Sequence, residues 1–328
     1  MVEFIDYNTD TSTKDPKLSK SHDDQTTNQI CTQDQRIAYV QSQCRALNVT
    51  VAHQPSDLYY VKPNSQFLVD PTHELIYCQS SKVACSTWKG VMISSLLGNK
   101  ILTLGDGLVH KRPYLESLGI RYIKDWGPAE YATYTRFMVT RHPLDRLMSA
   151  YKNMVRPAPR QVGPTFRYNQ WINTQLYGDP NTADDEIASF EDFLSLVSSQ
   201  DPLIQQSFFY NDQHWLPMSQ VCQPCSVRYD YIVRLETAEE ESGPILRLFH
   251  INDTLPHKNN GQRTEDTSGD SLGIGQSILR EYVNVSPEIM RNVYERYKLD
   301  FELYGYSYDD LKHELRCSVD MEEGGPCC

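Results

Sequence analysis

Two stretches decide how this chain folds: IYCQSSKVACSTWK (Ile76–Lys89) and FMVTRHPLDRLMSAY (Phe137–Tyr151). Each runs from a short apolar strand through a loop carrying a base and hydroxyls into a helix. Trp88, Val91, Met92 and Leu96 in and beyond the first, and Leu144, Leu147, Met148 and Tyr151 in the second, recur at the spacing of a buried helical face. Strands alternating with helices predict an α/β domain with a mainly parallel sheet, because parallel neighbours need a crossover between them. Such sheets bind ligands at the carboxyl ends of their strands. Both stretches place their polar residues there.

In the first stretch, Ser80–Thr87 leads from strand to helix start. Unpaired N–H groups and the positive end of the helix dipole favour an anion at such a place. Lys82 adds a mobile charge, and Ser86 and Thr87 add hydroxyl donors. The glycine-rich Walker pattern is absent, so neither nucleotide hydrolysis nor its Mg²⁺ is implied. In the second stretch, Arg141 ends the strand with a guanidinium that can fork onto a phosphate, and Ser149 follows two helical turns later. Pro143 suits the first helical position. Asp145 and Arg146 read as a first-turn acid and a solvated base. Each stretch alone fits an ordinary helix start beside a surface base just as well. Together they can hold the two ends of a doubly charged nucleotide.

The composition narrows the class. Of 328 residues, 39% are hydrophobic and 23% charged, as in soluble globular proteins. A net charge of −12 and a pI near 5.2 weigh against a general nucleic-acid binder. No apolar run reaches the roughly 18 residues of a membrane span, and the N-terminus carries no signal-peptide pattern. Nine cysteines suit an oxidising compartment, and their odd number leaves at least one thiol unpaired or bonded between chains. Sequons stand at Asn48, Asn252 and Asn284; chance supplies roughly two in such a chain, so they decide little.

Residues 1–67 read as a polar, largely flexible leader. It contains a short helix over Arg36–Ala46, whose flanking Cys31 and Cys44 are candidates for a staple. The core starts near Leu68. Strands are expected at His73–Cys78, Thr135–Thr140 and Tyr229–Leu235. Helices are expected at Ser86–Leu97, Leu144–Met154, Phe190–Ser198, Ala238–Phe249, Ser277–Val283 and Pro287–Lys298. Leu115–Gly127 is ambiguous, and Pro157–Gly163 and Asn252–Asp270 read as loops. Cys222-x-x-Cys225 precedes a strand instead of opening a helix, which argues against a thioredoxin-type pair. Zinc would need a second pair at ribbon spacing. A disulfide role remains, with unreadable partners. Cys78 and Cys85, flanking the anion loop, are either bonded to each other or free and buried.

KVACSTWK (Lys82–Lys89) resembles the loop for the 5′-phosphosulfate of PAPS (3′-phosphoadenosine-5′-phosphosulfate) in Golgi carbohydrate sulfotransferases. The group is that of the chondroitin and dermatan 4-O-sulfotransferases and the HNK-1 sulfotransferase. RHPLDRLMSAY (Arg141–Tyr151) is similar to that group's 3′-phosphate motif and keeps its Arg-to-Ser spacing of eight. FEDFL (Phe190–Leu194), HW (His214–Trp215), CQPCSVRYDY (Cys222–Tyr231) and LET (Leu235–Thr237) follow in the family's order. The resemblance spans roughly residues 68 to 306. Three departures stand out: Ser81 replaces a usual proline, His142 replaces an often acidic residue, and the family's N-terminal anchor is missing.

The resemblance implies a central, mainly parallel sheet flanked by helices, in a P-loop-NTPase-like, PAPS-dependent sulfotransferase fold. The catalytic domain would run over 68–312, with a cysteine-containing tail at 313–328. PAPS would be the co-substrate, with no metal. Lys82, Val83, Ala84, Cys85, Ser86, Thr87, Arg141 and Ser149 would bind it. Lys82 would stabilise the transferred group. His214 is the chosen base; His73, His142 and the carboxylates are the other titratable candidates. Trp215 either stacks on a sugar or fills the core. The acceptor would be a glycan, in the Golgi lumen or at its membrane, with no nucleic acid and no membrane span in this chain. A basic groove from Lys152, Arg156, Arg160 and Arg167 would favour chondroitin or dermatan; without one, a glycoprotein terminal sugar fits better. The competing readings are a non-glycan acceptor and a catalytically inactive nucleotide- or glycan-binding protein.

Overall fold

The computed structural model describes residues 32–49, 66–98, 106–123, 131–156, 164–178, 188–251, 255 and 281–308. In chain order the elements are α1 (Gln33–Ala46), β1 (Phe67–Asp70), β2 (Leu75–Cys78), α2 (Cys85–Leu96), α3 (Asp106–Val109), α4 (Arg112–Ser117), β3 (Arg121–Tyr122) and β4 (Thr135–Thr140). They continue with α5 (Pro143–Met154), α6 (Pro164–Tyr177), α7 (Phe190–Val197), α8 (Pro202–Gln205), α9 (Met218–Cys222), β5 (Tyr231–Arg234), α10 (Ala238–Glu241), α11 (Gly243–Leu248) and α12 (Pro287–Tyr304).

The five strands form one sheet in the order β3-β1-β2-β4-β5. β2, β4 and β5 are parallel neighbours, and β1 runs antiparallel to both β2 and β3. Four strands therefore share one direction, which is the mainly parallel α/β sheet expected. The strand residues of β1, β2 and most of β4 are buried, as they must be when helices cover both faces. Tyr77 of β2 stacks on Phe137 of β4, with ring centroids 4.7 Å apart. Trp88 of α2 meets Phe137 at 5.1 Å, so the apolar face of α2 is pinned to the sheet centre.

The expected strands and helices within the described residues are present with shifted ends, and α6 is a helix that the periodicity did not reveal. The expected helix Ala238–Phe249 is two short ones, α10 and α11, separated at Ser242 with Pro244 in the first turn of the second. Proline at a helix start removes no intrahelical bond. Within the ambiguous Leu115–Gly127, the described residues 115–123 hold the end of α4 and the two-residue β3. The loop at 157–163, Cys31, Arg160 and the 313–328 tail lie outside the described residues, as does 252–270 apart from Leu255.

Helix α1, within the predicted leader, belongs to the compact unit that starts at Thr32. Thr32 and Gln35 form a capping box at its start. Its Arg36 is buried and donates to Ile232 O at 2.8 Å and to the carboxylate of Glu241 at 2.8 Å. Gln33 Oε1 accepts from Ile232 N at 2.9 Å. Ile232 lies on edge strand β5, whose outward N–H and C=O would otherwise be exposed. Two side chains of α1 therefore do the work of a further strand.

The disulfides also depart from the local expectation. Cys44 of α1 pairs with Cys225, and Cys78 at the end of β2 pairs with Cys222 of α9. Cys44 is not stapled to Cys31, and Cys85 is free. The bonds span separations of 181 and 144 residues. In the chain-entropy model, loops of that size raise the free energy of the unfolded chain by about 5 kcal/mol each when taken singly.

Candidate functional site

The carboxyl ends of β2, β3, β4 and β5 and the amino end of β1 meet along one edge of the sheet. A cleft of about 890 Å³ lies there, lined by Gln66, Gln79, Lys82, Tyr122, Arg141 and Glu236 among others. Of the predicted site residues, Lys82, Ala84, Cys85, Ser86, Thr87, Arg141, Ser149 and His214 all line it. Val83 does not: its side chain is fully buried in the core, so only its backbone could reach a ligand.

The loop after β2 has an unusual backbone. Lys82 and Ala84 both take positive φ, 69° and 62°. Left-handed backbone costs a non-glycine residue roughly 1–2 kcal/mol, and such strain persists where a site requires it. Alternating signs of φ are the pattern in which successive N–H groups gather around an anion. Ala84 is the N-cap of α2, without a side-chain hydrogen bond, and no acidic residue lies in the first turn. The first N–H groups of α2 and the positive end of its dipole are thus left for a ligand.

The second stretch is built differently. His142 caps α5, its Nδ1 accepting from Leu144 N at 3.3 Å, and Asp145 lies in the first turn. His142 N donates to Glu236 Oε1 at 2.7 Å. Its ring is buried against Phe301 and Tyr306. Burial lowers the imidazole pKa to about 4, and the nearby Arg141 and Arg234 add to the effect, against a hydrogen bond to Ser307 O. His142 is therefore a neutral cap and not a base in the cleft. What this stretch offers are side chains. Arg141 Nη1 donates to Lys82 O at 3.1 Å, bracing the first loop, and its guanidinium has no other partner among the described residues. Ser149 lies two turns along α5 on the same cleft.

Arg146 corrects the sequence reading most sharply. Expected as a solvated base, it is 1% exposed. It donates to Ser81 O at 2.8 Å, Leu216 O at 2.9 Å and Gln213 O at 3.3 Å. One buried guanidinium thus joins the anion loop, α5 and the turn that carries His214. Burial lowers its pKa from the ordinary guanidinium value, and three carbonyl acceptors compensate the buried charge.

His214 is held from several sides. Its Nδ1 lies 2.6 Å from Asp212 Oδ1, and Tyr168 of α6 donates to Asp212 Oδ2 at 2.6 Å. Burial raises the Asp212 pKa, but hydrogen bonds from His214 and Tyr168 outweigh it and leave the carboxyl below its usual value. Asp300 of α12 accepts from Met218 N and Ser219 N, both at 2.7 Å, capping α9 just beyond the turn. Trp215 is fully buried, donating to Phe209 O at 2.6 Å and packed against Tyr168 and Phe193. It fills the core and presents no face to a sugar. His73 pairs with Asp70 in the β1–β2 turn, at the opposite end of β2 from the cleft.

Sequence reasoning passed over several residues of the cleft. His110, just after α3, lies 2.8 Å by Nε2 from Ser86 Oγ and 3.2 Å by Nδ1 from Lys89 Nζ. Glu236, Glu239 and Glu240 form an acidic wall. The LET segment marked the first of these; nothing local marked His110. Of the four bases expected to form a groove, Lys152 and Arg156 both lie 3.9 Å from Glu281, Arg167 stands over the Phe208 ring, and Arg160 lies outside the described residues. Among the described residues there is no cluster of three or more metal-ligating side chains, and no helix is long and apolar enough to cross a membrane.

A family profile described as the sulfotransferase family matches residues 65–307. Carbohydrate sulfotransferase 11 of Rattus norvegicus is 28% identical over 268 residues, covering 77% of this chain and 68% of that protein. Carbohydrate sulfotransferase 9 of Homo sapiens is 24% identical over 283 residues, covering 84% and 60%. Carbohydrate sulfotransferase 14 of Mus musculus is 27% identical over 259 residues, covering 75% and 61%. No solved structure matches.

Proposed function

The chain belongs to the sulfotransferase family, and from that premise we propose that it transfers the sulfuryl group of PAPS to a hydroxyl of a glycan. One observation carries the reading. A single cleft holds an uncapped helix start beside Lys82 at one place, and Arg141 with Ser149 at another. PAPS needs two such places, one for its 5′-phosphosulfate and one for its 3′-phosphate. The residues fit both: the first turn of α2 with Lys82, Ser86 and Thr87 would take the 5′ end, and Arg141 with Ser149 the 3′ end. The catalytic domain is assigned to residues 68–312, and the two disulfides suit the oxidising Golgi lumen.

In the reaction a bond forms between sulfur and the acceptor oxygen, the bond from sulfur to the 5′-phosphate breaks, and the acceptor hydroxyl loses its proton. Lys82 and the positive end of α2 stabilise charge that grows on the departing phosphate. Donors oriented in advance in this way supply much of the rate enhancement in group transfer. His214 receives the proton. A charged Asp212 accepts from Nδ1–H, which fixes the tautomer and leaves Nε2 as the basic atom.

The acidic wall bears on the acceptor. Three glutamates line the cleft and repel a uronate-rich chain. A terminal sugar of a glycoprotein therefore fits better than chondroitin or dermatan. The test is transfer from radiolabelled PAPS to a panel of desulfated glycosaminoglycans, neutral glycoprotein glycans and a tyrosine peptide. Label on the neutral glycans is expected. Label on the peptide alone would overturn the glycan assignment, and PAPS binding without transfer to any acceptor would reduce the protein to a binding module.

A further inference from the structure

We propose that His110 is a positioning residue that turns the Ser86 hydroxyl into an anion donor, under the control of Lys89. The proposal rests on the assignment of the α2 start to the 5′ end of PAPS and deepens it.

The three side chains form a chain across the cleft floor. Lys89 is 3% exposed, and its Nζ lies 3.2 Å from His110 Nδ1. An ammonium has donors and no acceptor, so Nδ1 must be the accepting nitrogen. A neutral imidazole that accepts at Nδ1 carries its proton at Nε2. Nε2 lies 2.8 Å from Ser86 Oγ and therefore donates to it. A serine hydroxyl has one donor and two acceptor sites. With an acceptor site filled by His110, its own proton is free to turn toward an anion at the α2 start. In the other tautomer, Nε2 would take the Ser86 proton, and the hydroxyl would present lone pairs to that anion. Lys89 thus decides whether Ser86 attracts or repels the ligand. Burial lowers the Lys89 pKa from the ordinary ammonium value, and the neighbouring Cys85 works in the opposite direction. Ser86, Lys89 and His110 all line the cleft, and His110 itself is exposed, so replacing it leaves the core intact.

The experiment is a double-mutant cycle on the full chain, read as PAPS affinity by calorimetry and as KM and kcat. His110→Phe is expected to weaken PAPS binding roughly tenfold, the effect of losing one hydrogen bond to a charged group. In a Ser86→Ala background the same change should do almost nothing, because neighbours that act through one another are not additive. His110→Gln, whose amide can still donate to Ser86, should recover most of the affinity. The main effect should fall on KM for PAPS, with melting temperature unchanged. Equal losses in the Ser86→Ala and wild-type backgrounds, or a His110→Phe protein that binds PAPS normally, would overturn the proposal. If the wild-type chain itself fails to bind PAPS, it is the parent assignment that falls.

Discussion

Helix α2 begins at Cys85 with no side chain over its first N–H groups, whereas α5 begins at Pro143 beneath the imidazole of His142, which accepts from Leu144 N. Both follow a buried strand and a base, and in sequence they look like two copies of one device. Their electrostatics differ. The N-cap of α2 is alanine in a left-handed conformation, which can neither cap nor neutralise, so the dipole stays available. The start of α5 is closed by His142 and offset by Asp145, so whatever anion it meets must be held by Arg141 and Ser149. On the function proposed above, one motif thus yields a site made of backbone and a site made of side chains. The first suits a group whose charge changes during reaction, and the second suits a handle that only has to be gripped.

The sharpest way to break this contrast is at Lys82. Lys82→Ala should lower kcat/KM by roughly 10²–10³-fold, the usual loss when one transition-state donor is removed, with an unchanged melting curve. Near-normal turnover would detach α2 from the transferred group.

The next test opens the closed helix. The His142 cap works only while Nδ1 is unprotonated. Its folded pKa is about 4, against about 6.5 for an unfolded histidine. Between those values the unfolded chain binds the extra proton. Stability from this residue is therefore complete above about pH 6.5 and is lost as pH falls toward 4, by about 3 kcal/mol. Urea unfolding of wild type and His142→Asn should converge in stability across that window, since asparagine caps without titrating. Parallel curves would refute the neutral cap.

The smallest effect is expected at Ala84. Ala84→Gly removes left-handed strain and should stabilise the fold by about 1 kcal/mol while keeping PAPS affinity. Ala84→Asp puts a carboxylate at the open start and should cost roughly tenfold in affinity at little cost in stability. If both variants bind PAPS like the wild type, the α2 start is not the anion site.

The two strand–loop–helix units, the sheet they build and the residues Lys82, Ser86, Thr87, Arg141 and Ser149 were legible because their signals are local. Apolar spacing fixes the helical faces, and a short strand followed by such a helix fixes where the loops must lie. His214 was legible through its motif, but its support by Asp212 and Tyr168 was not, since Tyr168 lies 44 residues away from Asp212 in the chain. Arg146 shows the limit in a single residue. Its position in the first turn of a polar-looking helix start predicts exposure, and three carbonyls from two distant segments bury it.

The sequence by itself determined the fold class, the edge of the sheet where the cleft lies, and most of the side chains that line it, because periodicity and helix-start chemistry act over a few residues. Only the tertiary structure decided which helix start stays open, which cysteines pair across 144 and 181 residues, how α1 covers the edge strand, and how His110 meets Ser86. The cysteine pairs, the cover of the edge strand and the meeting of His110 with Ser86 depend on side chains far apart in the chain meeting in space, whereas the open helix start rests on a left-handed alanine that no local pattern marks.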